Sequence, residues 1–167
     1  MISRRQFLRV GLFSALALST VGAWRAAAAS PRPATDPRRQ ILAAVIPVML
    51  AEALPSEPQA RAEALDATLD GVEAAIAGLP PAAQQELGEL FGLLAFGPTR
   101  WLLTGIGPTW SDATEAELRR FLARWRHSFW SLPQAGYQAL HQIIIATWYS
   151  QPRAWPAIGY GGPPALA

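Results

Sequence analysis

The chain lacks several residue types, and each absence excludes a class of chemistry. It contains no cysteine, which rules out a disulfide scaffold, a thiolate zinc site, a covalently attached c-type haem and a thiol nucleophile. All fourteen basic residues are arginine, so no lysine is available for a P-loop, a Schiff base or a general base. Only 16% of the 167 residues are charged and 51% are hydrophobic, a composition that favours a folded core over a solvated, disordered chain.

The first thirty residues have the pattern of an export signal. The paired Arg4 and Arg5 precede Phe7 and Leu8, which resembles the twin-arginine (Tat) signal, and an apolar run at 10–24 follows. This run of fifteen residues is shorter than the roughly 20 apolar residues that a membrane-spanning helix needs. We therefore interpret 1–29 as a signal peptide that is set aside before the fold is considered.

Signal cleavage is predicted after Ala29, with the small residues Ala27 and Ala29 suited to the tight pocket of a signal peptidase. The segment 1–29 holds four of the fourteen arginines and no acid, so ten arginines remain against twelve acids, a net charge of −2. The basic character of the whole chain thus belongs to the signal. Binding to nucleic acid, which needs a basic face to displace counterions from phosphates, loses its main support.

The remaining chain predicts an all-α fold, a bundle of five or six helices at 37–150 that follows a linker at 30–36. Apolar residues recur at steps of three and four, as on one face of a helix, and no stretch alternates as in a strand. The predicted apolar stripes are Leu65, Leu69, Val72, Ile76 and Leu79; Leu87, Leu90, Phe91 and Leu94; Leu118, Phe121, Leu122, Trp125, Phe129 and Leu132; and Tyr137, Leu140, Ile144 and Trp148. Charged residues that lie between the members of the first stripe, such as Glu73, are expected on the surface of that helix.

Prolines and capping residues predict where the helices begin and end. Asp36 fits an N-cap with Pro37 at the first helical position, and Pro47 should kink or divide the helix that follows. A short helix is predicted at 99–103, and a capping box at 112–115 should begin the next long helix. The segment 151–167 has four prolines and three glycines and is predicted as an extended C-terminal tail.

Candidate catalytic residues are few. His127 and His141 could face each other from adjacent helices, but a metal site would also need carboxylates, which are scarce there. Ser128 and Ser131 lie near His127, but neither a nucleophile elbow nor an orienting acid accompanies them. We therefore expect no catalytic, cofactor-binding or metal-binding residue. The arginines at 119, 120, 124 and 126 could hold an anion or meet an acidic partner, or form an ordinary solvated face.

Aromatic residues near the C-terminus are more informative. Helical spacing accounts for Trp125 and Trp148 as core residues, but Trp155 and Tyr160 lie outside any predicted helix. A tail rich in proline and aromatic residues either packs back onto its own bundle or fills a groove on another protein. Aromatic side chains are common anchors of protein interfaces.

The signal and the C-terminal third together resemble a family of small twin-arginine-signal proteins, similar to the small (third) subunit of gluconate dehydrogenase and related membrane-bound flavin dehydrogenases. The residues that carry the resemblance are Phe121, Leu122, Trp125, Arg126 and Ser128; Gly136, Tyr137 and Leu140; and Trp148, Tyr149, Pro152, Trp155, Ile158, Gly159, Tyr160, Gly162, Pro163 and Pro164. It covers the signal and about 118–164, whereas 36–110 shows only a helical pattern.

This resemblance implies a non-catalytic, periplasmic accessory subunit. Its large partner would be a flavoprotein of the glucose–methanol–choline type, which binds FAD and oxidises an alcohol or sugar, and a cytochrome c subunit can complete the complex at the membrane. The Tat translocase would export the folded pair. The partner interface is predicted at Trp148, Tyr149, Trp155, Ile158, Tyr160, Pro163 and Pro164. The alternatives are a free-standing periplasmic binding or scaffolding protein and an enzyme with an unrecognised site.

Export should depend on the paired arginines. Replacing both Arg4 and Arg5 with lysine keeps the positive charge but removes the recognised pair, so the protein should accumulate in the cytoplasm. Cell fractionation and immunoblotting measure the distribution, with Arg9→Lys as the matched control that should still be exported. A double variant that reaches the periplasm at the normal level would contradict the twin-arginine route.

Overall fold

The computed structural model describes residues 36–162, which form an all-α fold as predicted, with no strand among them. Its six α-helices are α1 (Pro37–Met49), α2 (Pro58–Ala77), α3 (Pro81–Ala95), α4 (Gly97–Thr104), α5 (Glu115–Arg126) and α6 (Ser131–Tyr149). Two short 3-10 helices, Pro152–Ala154 and Pro156–Ile158, follow α6. The predicted signal, with Arg4, Arg5, Phe7, Leu8, Ala27 and Ala29, and the C-terminal Pro163 and Pro164 lie outside the described residues.

Helix starts follow the local sequence closely. The side chain of Asp36 accepts a hydrogen bond from the backbone N–H of Arg38 at 2.9 Å, which confirms the predicted N-cap. Three helices begin with a proline, a residue that suits the first turn because it has no N–H to leave unpaired. Pro47 lies inside α1, which continues through it and ends two residues later at Met49.

The capping box of α5 lies two residues further along than predicted. Thr114 is the N-cap, and its hydroxyl and backbone exchange hydrogen bonds with Glu117. These bonds, first from the Thr114 hydroxyl and then from its backbone N–H, lower the pKa of Glu117. The backbone N–H groups of Ala60 and Gln59 likewise lower the pKa of Glu57, which is the N-cap of α2.

The core contains most of the predicted stripes. The buried members are Leu69, Val72, Ile76, Leu87, Leu90, Phe91, Leu94, Leu118, Phe121, Leu122, Trp125, Leu140, Ile144 and Trp148. Apolar residues of α1, which the sequence predicted only as a helix, join them: Ile41, Leu42, Val45 and Ile46. Helical period thus identified the inward face of α3, of most of α5 and of α6.

Glu73 departs from the prediction, because it is buried rather than on the surface of α2. It is 3% exposed and accepts a hydrogen bond at 2.6 Å from Arg39 of α1. Arg39 also reaches Asp70 at 2.9 Å, so one guanidinium joins two carboxylates of α2. Desolvation acts to lower the pKa of Arg39, but the hydrogen bonds and charges of Asp70 and Glu73 raise it overall. These ion pairs join α1 to α2. The spacing of apolar residues along a single helix cannot reveal such a contact between helices.

The apolar stripe of α5 stops earlier than predicted. The helix ends at Arg126, and Phe129 and Leu132, which continue the same spacing, are exposed. Pro133 is compatible with the next helix, because it lies in the first turn of α6, where its missing N–H costs nothing. Because α6 already begins at Ser131, a short turn separates the two helices and interrupts their common period.

Trp125 joins the four C-terminal helices of the bundle. Its indole N–H donates to the carbonyl of Leu103 in α4 at 3.1 Å, and its ring meets Phe121 edge-on at 4.7 Å. The ring also packs against the backbone of α6 at Gly136, close to Leu90 of α3. A Cβ at position 136 would lie 2.6 Å from Cζ3 of the indole, so only glycine allows this approach.

Gly136→Ala should therefore destabilise the bundle by about 1–2 kcal/mol, because overpacking outweighs the gain in helix propensity. Thermal unfolding followed by circular dichroism measures the change as a midpoint several degrees lower. Gly92→Ala in α3 is the matched control, since its Cβ would meet nothing within 4 Å. That variant should be stabilised by about 0.5–1 kcal/mol. Equal effects of the two substitutions would contradict the close contact with Trp125.

Candidate partner interface

The chain after α6 is anchored to the bundle at its root. The side-chain amide of Gln151 donates to the hydroxyl of Thr68 in α2 at 3.2 Å, and Ala154 is buried within the core. The prediction of an extended tail is corrected here, because the described part forms two 3-10 helices. Each begins with a proline, whose fixed φ near −65° suits a 3-10 turn as well as an extended segment.

Trp155 is the centre around which the rest of this segment folds. Its indole N–H donates to the carbonyl of Tyr149 at 3.0 Å, and its own carbonyl accepts from the backbone N–H of Tyr160 at 3.0 Å. The Tyr160 ring meets the indole edge-on at 5.3 Å. Gly162, with a φ of +97°, lies so close that a Cβ there would be 3.1 Å from the indole. We call residues 155–162 the tail loop.

The structure separates the predicted interface residues into two groups. Trp148 is 2% exposed and packs inside the bundle, so it is not available to a partner and leaves the candidate interface. Tyr149, Ile158 and Tyr160 are 38%, 54% and 47% exposed and lie on the tail loop or beside it. Trp155 is half-buried and supports the others. The accessible candidate surface is therefore Tyr149, Ile158 and Tyr160.

A second apolar surface was not predicted from the sequence. Phe129, Trp130 and Leu132 are exposed at the α5–α6 turn, and we call these three residues the apolar tip. Phe129 and Leu132 were assigned to the core stripe of α5. The sequence feature that could have indicated this turn is Pro133, because proline is as typical of a helix's first turn as of a break between helices. Recognising it as a start would have placed Phe129 and Trp130 in a turn.

Further exposed apolar residues are Phe96, just before α4, and Trp101 and Leu102 within it. The last turn of α4 is attached to α5, because the carbonyls of Leu103 and Thr104 accept hydrogen bonds from Trp125 and Arg124. Trp101 and Leu102 directly precede these two residues, and the apolar tip begins three residues after Arg126, the last residue of α5. Exposed apolar side chains of both α4 and the tip thus belong to segments attached to the C-terminal half of α5.

The apolar tip and the tail loop lie at opposite ends of α6. This helix has nineteen residues, which corresponds to a length of about 28 Å at 1.5 Å per residue. Because the tip lies at its first turn and the tail loop follows its last, one small ligand cannot contact both. The chain therefore displays two separate apolar surfaces.

The candidate catalytic residues are not brought together. His127 is the C-cap of α5, whereas His141 lies in the middle of α6 and stacks on Tyr137 with ring centroids 5.6 Å apart. The hydroxyl of Ser128 accepts a hydrogen bond from the backbone N–H of Trp130, so it shapes the turn. Among residues 36–162, no group of three or more His, Cys, Asp or Glu side chains could hold a metal ion. In the same range, no helix is long and apolar enough to cross a membrane.

Comparison with known proteins found no match among family models, curated proteins or solved structures. The family resemblance therefore depends on the motif residues of this chain alone. Several of those residues, Trp155, Tyr160 and Gly162 among them, contact one another in the tail loop. The spacing of these motif residues in the sequence is therefore the spacing that brings them into contact within the tail loop.

Trp155→Ala should loosen the tail loop while leaving the bundle almost unchanged, because Trp155 contacts mainly residues close to it in sequence. Amide hydrogen exchange should show at least tenfold faster exchange at Tyr160, whose N–H bonds to the carbonyl of residue 155. The unfolding midpoint should fall by less than about 3 °C. Trp155→Phe, which keeps a ring for Tyr160 and Gly162 to contact, is the control with intermediate exchange. A drop of many degrees for Trp155→Ala would instead identify the segment as a strap that holds the bundle together.

Proposed function

We propose that this chain is a non-catalytic, exported accessory subunit that escorts and stabilises a periplasmic FAD-dependent alcohol or sugar dehydrogenase. The proposal rests on the resemblance of its N-terminus to a twin-arginine signal and of its C-terminal third to the small subunits of such enzymes. The partner would be a large subunit of the glucose–methanol–choline type, to which FAD binds. A cytochrome c subunit is a further candidate member of the complex.

The observation that carries the proposal is the shape of the tail loop. Tyr160 and Ile158 are displayed on a loop whose backbone is fixed by Trp155, Pro156 and two glycines with positive φ. A preorganised loop loses little conformational entropy when it binds a partner. Exposed aromatic side chains on such a loop are typical anchors of an interface. A bundle that needed the loop only for its own stability would gain more by burying these side chains.

Export of the folded protein fits this role. A flavoprotein must acquire FAD in the cytoplasm before it crosses the membrane, which requires a route for folded cargo. A signal on the small subunit can serve both subunits if they assemble first. The small subunit then needs a stable fold and an adhesive surface, and its own residues need supply no cofactor ligand.

A free-standing periplasmic scaffolding or binding protein is the alternative. It would use the same exposed side chains but would not depend on a flavoprotein for its export or solubility. Purification of the tagged chain from the periplasm of its native host distinguishes the two. Co-purification of a large protein with the absorbance of bound FAD supports the accessory subunit, and recovery of the chain alone supports the alternative.

Tyr160→Ala should weaken capture of the flavoprotein by roughly thirtyfold, as expected for an interface residue of about 2 kcal/mol. Ile158→Ala should act in the same direction, and neither should shift the unfolding midpoint of the isolated chain by more than about 2 °C. Titration of the labelled chain with the purified flavoprotein gives the dissociation constants. Phe129→Ala is the control, because it removes an exposed aromatic ring beside the other end of α6, a helix about 28 Å long.

Capture that is unchanged in Tyr160→Ala and Ile158→Ala but lost in Phe129→Ala would move the partner surface to the apolar tip. If all three variants capture the flavoprotein as well as the parent does, the tail loop does not bind it and the proposed interface is wrong.

A further inference from the structure

The apolar tip projects from the bundle on a convex turn. Phe129 has 104% of the exposure of an isolated residue, and its neighbour Trp130 is 79% exposed. The turn itself is ordered by a hydrogen bond from the Trp130 N–H to the Ser128 hydroxyl at 3.1 Å and by the start of α6. Single exposed apolar residues are ordinary, but two adjacent aromatic rings presented together on a fixed turn indicate a contact surface.

The part of the chain that forms the tip, from Leu118 onward, carries charge of one sign. All twelve acidic residues lie between positions 36 and 117, so the chain from Leu118 onward contains five arginines and no acid. Four of these, Arg119, Arg120, Arg124 and Arg126, belong to α5, which leads directly to the tip. Arg119 pairs with Glu115 at the far end of the helix, whereas Arg126 is exposed in its last turn. The exposed Arg126, three residues before Phe129, therefore favours contact with an anionic surface.

We propose that the apolar tip inserts into the headgroup region of an anionic lipid bilayer. Phe129 and Trp130 would enter the boundary between headgroups and acyl chains, where aromatic side chains are favoured. Arg126 and Arg124 would lie at the level of the lipid phosphates.

A lipid surface fits these observations better than a protein partner. A fully projecting ring on a convex turn needs a matching pocket on a protein, but a bilayer accepts it in any orientation about the membrane normal. Basic residues beside the ring add attraction to anionic lipids without requiring a fixed partner for each charge. The contact would be peripheral, and it does not depend on the proposed flavoprotein, because the tail loop lies at the other end of α6.

The absence of cysteine allows a local test on the full chain. Ser131→Cys, exposed next to the tip, is labelled with an environment-sensitive nitrobenzoxadiazole group and titrated with vesicles of phosphatidylglycerol and phosphatidylcholine. The emission should shift to the blue and increase with anionic vesicles, and much less with pure phosphatidylcholine. Ala157→Cys, labelled in the same way on the tail loop, should show no such shift. Every variant shares the apolar run at 10–24, so differences between label positions report the tip.

Substitutions should separate the apolar and electrostatic contributions. Replacing Phe129 and Trp130 with serine should reduce the apparent vesicle affinity seen by the label at least tenfold. Arg126→Gln should reduce it about fivefold, whereas the matched Arg153→Gln, beyond the other end of α6, should change it less than twofold. Higher salt should weaken binding of the parent and have less effect on Arg126→Gln.

Several results would overturn the proposal. One is no shift of the label at 131 with anionic vesicles, and another is equal shifts of the labels at 131 and 157. Equal binding to neutral and anionic vesicles, or equal losses for Arg126→Gln and Arg153→Gln, would exclude the electrostatic part. Loss of flavoprotein capture in the Phe129 and Trp130 variants with unchanged vesicle binding would identify the tip as a protein interface instead.

Discussion

The contact of the Trp125 indole with the bare backbone at Gly136 is the constraint on which the C-terminal half of the bundle depends. It allows α6 to approach α5 closely, while the indole N–H fixes the end of α4 through the carbonyl of Leu103. The short turn between α5 and α6 contributes no aromatic side chain to this packing, and its Phe129 and Trp130 are exposed.

The two apolar surfaces differ in construction, and this difference supports different proposed roles. The tail loop is built around its own tryptophan and displays Tyr160 and Ile158 from a fixed backbone, which suits a shaped protein surface. The apolar tip is a short turn with exposed aromatic rings that follows an arginine-rich helix, which suits a lipid surface. Because α6 separates them by about 28 Å, a chain of this size could contact a flavoprotein and a membrane simultaneously.

Much of the fold follows from local rules that operate within one helix. A period of three and four apolar residues indicates an inward face wherever the helix continues, as it does from Leu87 to Leu94. Caps such as Asp36 depend only on a few consecutive residues, so the sequence reveals them directly. The clustering of Trp155 and Tyr160 outside the predicted helices likewise identified an unusual segment before its conformation was known.

The sequence by itself therefore determined the all-α class, most of the inward faces and the anomaly of the aromatic tail. Only the tertiary structure shows which residues depart from the burial that helical periodicity predicts. Glu73 is buried because Arg39 of another helix meets it, and Phe129 is exposed because a new helix begins just beyond it. The described part of the tail folds back on itself rather than extending, because Trp155 supplies a ring against which Tyr160 and Gly162 pack. Periodicity records the repeat along one helix, whereas burial depends on what the neighbouring segments place against it.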